Sequence, residues 1–246
     1  AISRADRVIL AGDHCQLPPT IKCIEAARGG LGRTLLEKVV LHKPETMSLL
    51  KIQYRMHEDI MRFPSRWFYH DELEAAPEVK YRGILDFDTP VSWIDTSELD
   101  LQEKAVAEGT GRLNTGEAEL LVRELKNYME RIGIRRILEE HIDFGVISPY
   151  RAQVHYLRHL LKKEPFFRPC RRLITVHTVD GFQGQERDVI MISLVRANEK
   201  GQIGFLRRMN VAITRARMKL LILGEAVTLT RHPFYRELYE YIGELR

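Results

Sequence analysis

Short, nearly uninterrupted apolar runs punctuate this chain, and the stretches between them carry apolar residues at helical spacing. Arg7–Gly12, Ser48–Ile52, Val91–Asp95, Phe144–Ser148, Leu173–Thr178, Val189–Leu194 and Leu220–Leu223 read as strands. Helices are expected at Leu35–Leu41, at Glu58–Tyr69, from Thr115 to Ile132, from Pro149 to Lys163, up to Arg215 and Arg217, and from Pro233 to Leu245. Pro149 at a first helical position is preorganised. Asn114 and Glu117 read as a capping pair for the helix that follows them. Val189–Leu194, the helix carrying Arg215 and Arg217, and Leu220–Leu223 predict a right-handed parallel unit with its polar groups gathered at one sheet edge. Residues 74–116 are the least regular part, and 98–108 read as a solvated acidic excursion.

Length and composition narrow the class without fixing it. At 246 residues there is room for one large domain or two small ones, and 44% hydrophobic with 29% charged residues is ordinary for a soluble globular protein. A net charge of +4 permits nucleic-acid binding but does not establish it. Cys15, Cys23 and Cys170 lack paired short spacing, which predicts reduced thiols inside a cell and argues against zinc. No apolar run approaches the ~18 residues of a membrane span, and no signal peptide is seen. Two tempting patterns fail on context. Ala27–Thr34 misses the phosphate-loop pattern at its first glycine and its lysine, lacks a feeding strand, and reads as a flexible linker. Asp71-Glu72 follows an aromatic helix end rather than a buried strand, so it is no magnesium pair.

Several polar residues sit where ligands meet such sheets. Asp13 and Gln16 follow Arg7–Gly12, and a glutamine there can hold a water or a phosphate oxygen without adding charge. Pro18 and Pro19 force an extended exit. Arg55, just past a strand end, can grip a phosphate with a bidentate fork, and Tyr54 offers a flat face to a base. Tyr150 and Arg151, at a helix amino end, are candidates for a nucleic-acid backbone contact, with simple capping and a solvated arginine as the alternative. Ile60, Met61, Phe63, Trp67 and Phe68 read as core rather than as a stacking platform.

Five motifs occur in a fixed order: Gly12-Asp13-x-x-Gln16-Leu17-Pro18-Pro19, Gln53-Tyr54-Arg55-Met56-His57, Ser148-Pro149-Tyr150-Arg151-x-Gln153, Val179-Asp180-x-Phe182-Gln183-Gly184-x-Glu186-x-Asp188, and Asn210-Val211-Ala212-x-Thr214-Arg215-Ala216-Arg217. The set resembles the later motifs of superfamily 1 helicases, most of all the branch typified by the nonsense-mediated-decay RNA helicase and the immunoglobulin-mu-binding-protein helicase. The resemblance implies an α/β, RecA-like, P-loop NTPase-type fold, with a mostly parallel sheet and helices on both faces. It implies ATP with Mg²⁺ in a cleft between two such domains, and a single strand of DNA or RNA crossing both. In that pattern Gln16 senses the γ-phosphate and Asp13 couples the domains. Tyr54 stacks on adenine, Arg55 and Arg215 are arginine fingers, and Gly184 and Glu186 line the nucleotide site. Tyr150, Arg151, His177 and Thr178 match the strand-binding side, and Arg217 braces its helix. The family's lysine loop and Asp-Glu pair are absent. The magnesium ligands are therefore expected in a missing N-terminal RecA-like domain, with residues 1–46 its tail and 47–246 the second domain. Such a protein is expected inside the cell, cytoplasmic or in a eukaryote nuclear, with no membrane attachment. A non-catalytic module that grips nucleic acid or a protein remains the alternative; a nuclease–helicase fusion lacks its acidic metal cluster.

Overall fold

The computed structural model describes residues 4–18, 21, 23–106, 111–197 and 206–245; Pro19 of the first motif and the end of the acidic stretch, 107–108, lie outside them. The chain divides into two units, Ala1–Leu50 and Lys51–Arg246.

In the first unit, α1 (Ile24–Ala26) runs on into a π-type turn, Ala27–Leu31, and α2 covers Leu35–His42. The glycine-rich segment expected as a flexible linker is therefore helical, interrupted by Gly30 at φ 90°. Thr34 opens α2 with a complete capping box: its hydroxyl accepts from Glu37 N at 3.0 Å, and the Glu37 carboxylate accepts from Thr34 N at 2.7 Å. Arg7–Gly12 does not form the expected strand, and Val8, Ile9 and Leu10 are exposed. A strand needs a neighbour to take its backbone groups, and the described residues of this unit supply none.

The second unit opens with β1 (Ile52–Gln53), α3 (Glu58–Phe68) and β2 (Glu74–Ala75), the two strands pairing parallel. Thus only the last residue of the run Ser48–Ile52 is strand. After α4 (Pro77–Lys80) and β3 (Val91–Asp95), the acidic stretch contributes β4 (Lys104–Ala105), which pairs antiparallel with β5 (Arg112–Leu113). There follow α5 (Thr115–Ile132), α6 (Ile134–Glu139), β6 (Phe144–Ser148), α7 (Arg151–Lys163), β7 (Ile174–Thr178) and β8 (Arg187–Ser193). The chain closes with α8 (Leu206–Ile213), β9 (Ala216–Gly224), α9 (Ala226–Leu229) and α10 (Pro233–Glu244). Strands β3-β9-β8-β6-β7 form one sheet in that order, parallel at every pairing. The α/β class with a parallel sheet is as expected.

Helices cover both faces because alternate strand residues are apolar on both. Phe144, Val146, Val189 and Met191 pack with Leu121, Leu125 and Met129 of α5 and Leu157 of α7. On the opposite side α3, α8 and α10 lie against β9 and β3, and Phe234 of α10 meets Phe63 and Trp67 of α3 edge-on at 5.2 and 5.3 Å. Gly145 is required by close approach: a Cβ there would lie 2.5 Å from Ile190 Cδ1 and 2.7 Å from Phe182 Cζ.

Three local expectations are corrected. Pro149 precedes α7, whose N-cap is Tyr150 and whose first residue is Arg151. Asn114 does cap α5, accepting from Glu117 N at 3.0 Å, but Glu117 does not reach back. Asn114 N donates instead to Gln153 Oε1 at 2.9 Å, while the buried Glu117 carboxyl turns inward to accept from Ser193 Oγ at 2.6 Å and Val195 N at 2.9 Å. Gln153 Nε2 completes the network, donating to Asn114 O at 2.9 Å and Ser193 Oγ at 3.0 Å. Finally, α8 stops at Ile213, so Arg215 lies in a turn and Arg217 in β9, not on one helix. Between the pairs Arg187↔Ala216 and Val189↔Lys219 strand β9 holds one extra residue, a bulge at Arg217–Met218.

Candidate functional site

Because every pairing in the sheet is parallel, the starts of β8 and β9 share one edge and the ends of β6 and β7 the other. The polar groups of the β8–α8–β9 unit do gather at one edge, but the candidate residues as a whole fall on two. Arg55, Gly184, Glu186, Arg215 and Arg217 belong to the amino edge, whereas Tyr150, Arg151, His177 and Thr178 belong to the carboxyl edge. Five to seven residues of strand separate the two sets, or roughly 15–20 Å.

At the amino edge, Gln53 shapes the turn that presents Arg55. Its Oε1 accepts from Arg55 N at 2.9 Å and Met56 N at 2.7 Å, and its Nε2 donates to Met56 O at 2.8 Å. His57 N donates to Arg217 O at 2.8 Å, tying this turn to the first residues of β9. The His57 ring accepts from Asp59 N to cap α3, and burial holds it below the usual histidine range despite neighbouring carboxylates. So fixed, Arg55 donates through Nε to Glu186 in a close ion pair and through Nη1 to Thr214 O at 3.2 Å. Tyr54 beside it is 68% exposed.

Glu186 also faces Arg217, with Nη1 at 3.8 Å from Oε1. Arg217 meets Asp143 at 3.0 Å and Asp188 at 3.0 Å, the latter an ion pair without hydrogen-bond alignment at Nε. Those two aspartates are interlocked: Asp188 N donates to Asp143 Oδ1 at 2.7 Å, and Asp143 N donates to Asp188 Oδ2 at 3.1 Å. Burial pushes the Asp188 carboxyl up, opposed by the backbone bond from Asp143 and by Arg217. Arg82 donates to Arg55 O in a close contact, and Arg187 reaches Thr175 Oγ1 and Gln185 Oε1, each at 3.0 Å. Arg215 differs from its neighbours. It is 3% exposed, and donates to Val211 O at 3.0 Å, Gln185 O at 3.2 Å and Thr214 Oγ1 at 3.2 Å. Gly184 takes φ +80°, where an L side chain is strained although open space surrounds it.

At the carboxyl edge Tyr150 is largely buried and Arg151 exposed. Thr178 Oγ1 accepts from Gly181 N at 3.3 Å, and the His177 ring packs where a side chain on Gly181 would stand. In the first unit Gln16 Nε2 donates to Asp13 Oδ2 at 2.8 Å, while Asp13 Oδ1 accepts from Cys15 N at 2.9 Å. Asp13, His14 and Cys15 bring ligating atoms within 4.8 Å of one another, but the Asp13 carboxylate is already engaged in that turn. Arg82, Asp143 and Arg187 carry no assigned role in the motifs. Arg82 lies in the irregular stretch, where no periodicity marks it; Asp143, just before the run Phe144–Ser148, was the more accessible signal.

Residues 31–227 match the family described as AAA domain. An uncharacterized ATP-dependent helicase of Methanocaldococcus jannaschii is 36% identical over 255 aligned positions, covering 98% of this chain and 35% of that protein. The DNA-binding protein SMUBP-2 of Rattus norvegicus is 35% identical, over 98% of this chain and 24% of its own length. A regulator of nonsense transcripts 1 homolog of Drosophila melanogaster is 35% identical, over 96% and 20% respectively. The chain thus spans about a third or less of these relatives. Among the described residues no helix is long and apolar enough to cross a membrane.

Proposed function

The chain belongs to the AAA-domain family, and from that premise we propose that it serves as the second RecA-like part of an ATP-dependent helicase acting on single-stranded DNA or RNA. In this reading residues 1–46 are the tail of the first such part, and residues 47–246 supply half of the nucleotide cleft and half of the strand path. The relatives named as helicases support it, as do the ordered motifs.

The observation that carries the proposal is the amino-edge array around Arg55. Its guanidinium is held by Glu186 and Thr214 O through Nε and Nη1, and Nη2 has no hydrogen bond among the described residues. A planar cation positioned this way can meet the equatorial oxygens of a phosphoryl group, where charge accumulates during transfer. Tyr54, exposed beside it, can lie against a base. Bound ATP with Mg²⁺ would supply the phosphoryl-transfer free energy that drives strand movement. The residues fit one side of such a nucleotide, offering cations and an aromatic face. The carboxylates here, Glu186, Asp143 and Asp188, are all engaged with arginines, so the magnesium ligands belong to another part of the protein. Glu186 keeps Arg55 ordered until a phosphate competes for it. Arg215 is best suited to hold the turn that carries Thr214, with a direct phosphate role requiring release of its carbonyl acceptors. Arg151, His177 and Thr178 stand on the strand side.

Replacing Arg55 with alanine in the longer protein tests this. Strand-stimulated ATP turnover should fall by on the order of 10³-fold with little loss of melting temperature. Turnover within about twofold of wild type, in folded protein, overturns the proposal.

A further inference from the structure

Basic residues are concentrated in one segment far from Arg55. Residues 151–172 hold seven lysines and arginines and a single acid, Glu164, a local excess of six positive charges in a chain whose net charge is +4. Without this segment the remaining residues carry a net charge of −2.

The helix arranges these charges in a row. Arg151, His155, Arg158 and Lys162 recur at helical spacing on α7, and all four are exposed. They span roughly 16 Å at ~1.5 Å per residue. The row ends at a cavity of about 390 Å³ between α7, the turn at 171–173 and β7, the edge strand of the sheet, lined by Arg158, Lys162, Arg171 and His177. Some surface arginines pair with carboxylates on their own helix, as Arg135 does with Glu139 and Arg136 with Glu140, both at 2.8 Å. Here Arg151, Arg158, Lys162 and Arg171 have no carboxylate within 4.0 Å among the described residues, and Glu164 faces Lys126 instead. Arg158 and Arg171 are nonetheless held in place. Arg158 donates twice to Val176 O, at 3.0 and 2.6 Å, and Arg171 donates to Lys162 O at 3.3 Å.

Resting on the helicase reading above, we infer that the phosphate backbone of the bound single strand continues from Arg151 along the exposed row of α7 into the cavity at Arg171. Arg151, Arg158 and Lys162, with the polar His155 between the first two, offer phosphate-binding groups at steps of roughly 4.5–6 Å along the helix, which suits an extended polyanion with one charge per nucleotide. Both Arg151 and His177, already on the strand side, adjoin the row. An acidic peptide adding to the edge strand fits less well, because Arg158 already occupies the Val176 carbonyl such a peptide needs.

The test uses the 246-residue chain and labelled oligothymidylates of about 6 and about 20 nucleotides, spanning the usual single-strand site sizes, in anisotropy titrations across a salt series. Lys162→Gln combined with Arg171→Gln should lower the salt slope for the long oligonucleotide by about 1.4, at ~0.7 for each phosphate no longer neutralised. It should leave the short one unchanged. Arg123→Gln with Arg135→Gln, the same charge loss elsewhere, should leave both slopes unchanged. Equal thermal melts confirm that the exposed substitutions spare the fold. If wild type binds neither length at low salt, the helicase reading fails and this path with it. If wild type binds both and the Lys162/Arg171 variant matches it, the path along α7 alone is overturned. Loss of polyglutamate binding without loss of the long oligonucleotide would also overturn it, assigning the cavity to an acidic protein.

Discussion

Glu117→Gln offers a quantitative test of the structure, because the substitution removes one titration from the core. Glu117 is fully buried at the third position of α5, and its Oε1 accepts from Ser193 and Val195 while Oε2 has no hydrogen-bond partner among the described residues. Burial pushes its carboxyl up to about 7; the bonds to Ser193 and to the backbone N–H groups of Val195 and Leu194 oppose the shift, and the Glu103 charge adds to it. The folded-state value lies above the unfolded one of 4.5, so between those values the native state binds the proton and the unfolded state does not. Stability from this group is therefore full below the unfolded value and lost as pH rises through the folded one. A shift of this size corresponds to about 3 kcal/mol at 1.36 kcal/mol per pH unit. His57 and Asp188 also titrate abnormally, but both remain in the variant and cancel in the difference. Urea unfolding at pH 5 through 8, followed by the fluorescence of Trp67 and Trp93, gives that difference directly. Glutamine should gain about 2.5 kcal/mol on glutamate between pH 5 and 8, the part of the shift that lies inside this window, whatever fixed cost its extra N–H donors impose. A difference that stays flat across this range would refute a neutral buried Glu117.

Arg215→Ala takes the guanidinium from the Gln185 carbonyl, at about 1–3 kcal/mol, and leaves Val211 O with only the Thr214 hydroxyl, so calorimetry should show a clear fall in melting temperature. A normal melt with abolished turnover would instead identify Arg215 as a phosphate-contacting finger. Arg217→Gln removes the cation between Asp143 and Asp188; with Asp188 already raised by burial, its folded-state value should climb further. The stability deficit should then be smaller at pH 5 than at pH 8, read from urea midpoints, and a pH-independent deficit would contradict the interlocked pair. Gly184→Ala should cost about 1–2 kcal/mol from its left-handed backbone, with Gly184→Ser costing about the same because nothing surrounds the new side chain. A much larger loss for serine would mean the site is closed.

The central strands were legible because β6, β8 and β9 are buried on both faces and so read as unbroken apolar runs bounded by turn residues. Arg7–Gly12 has the same pattern without forming a strand, since pairing depends on neighbours that the pattern does not contain. Glu117 was misread for a similar reason. Asn114 and Glu117 satisfy a capping pattern three residues long, but the acceptor role of Glu117 is settled by Ser193 and Val195, which lie 76 and 78 residues away. The two arginines show the limit most clearly. Helical periodicity carried across Ile213 would place Arg215 and Arg217 about 200° apart on one helix. The chain instead leaves the helix after Ile213, and a bulge gives β9 an extra residue at Arg217–Met218. That insertion turns Arg217 toward Asp143, Asp188 and Glu186 while Arg215 stays buried among backbone carbonyls. Motif order groups Arg55, Glu186 and both arginines, and these side chains do converge. Which guanidinium supports the fold and which is available to a phosphate depends on strand register, and register is set by partners in β8 rather than by the motif itself.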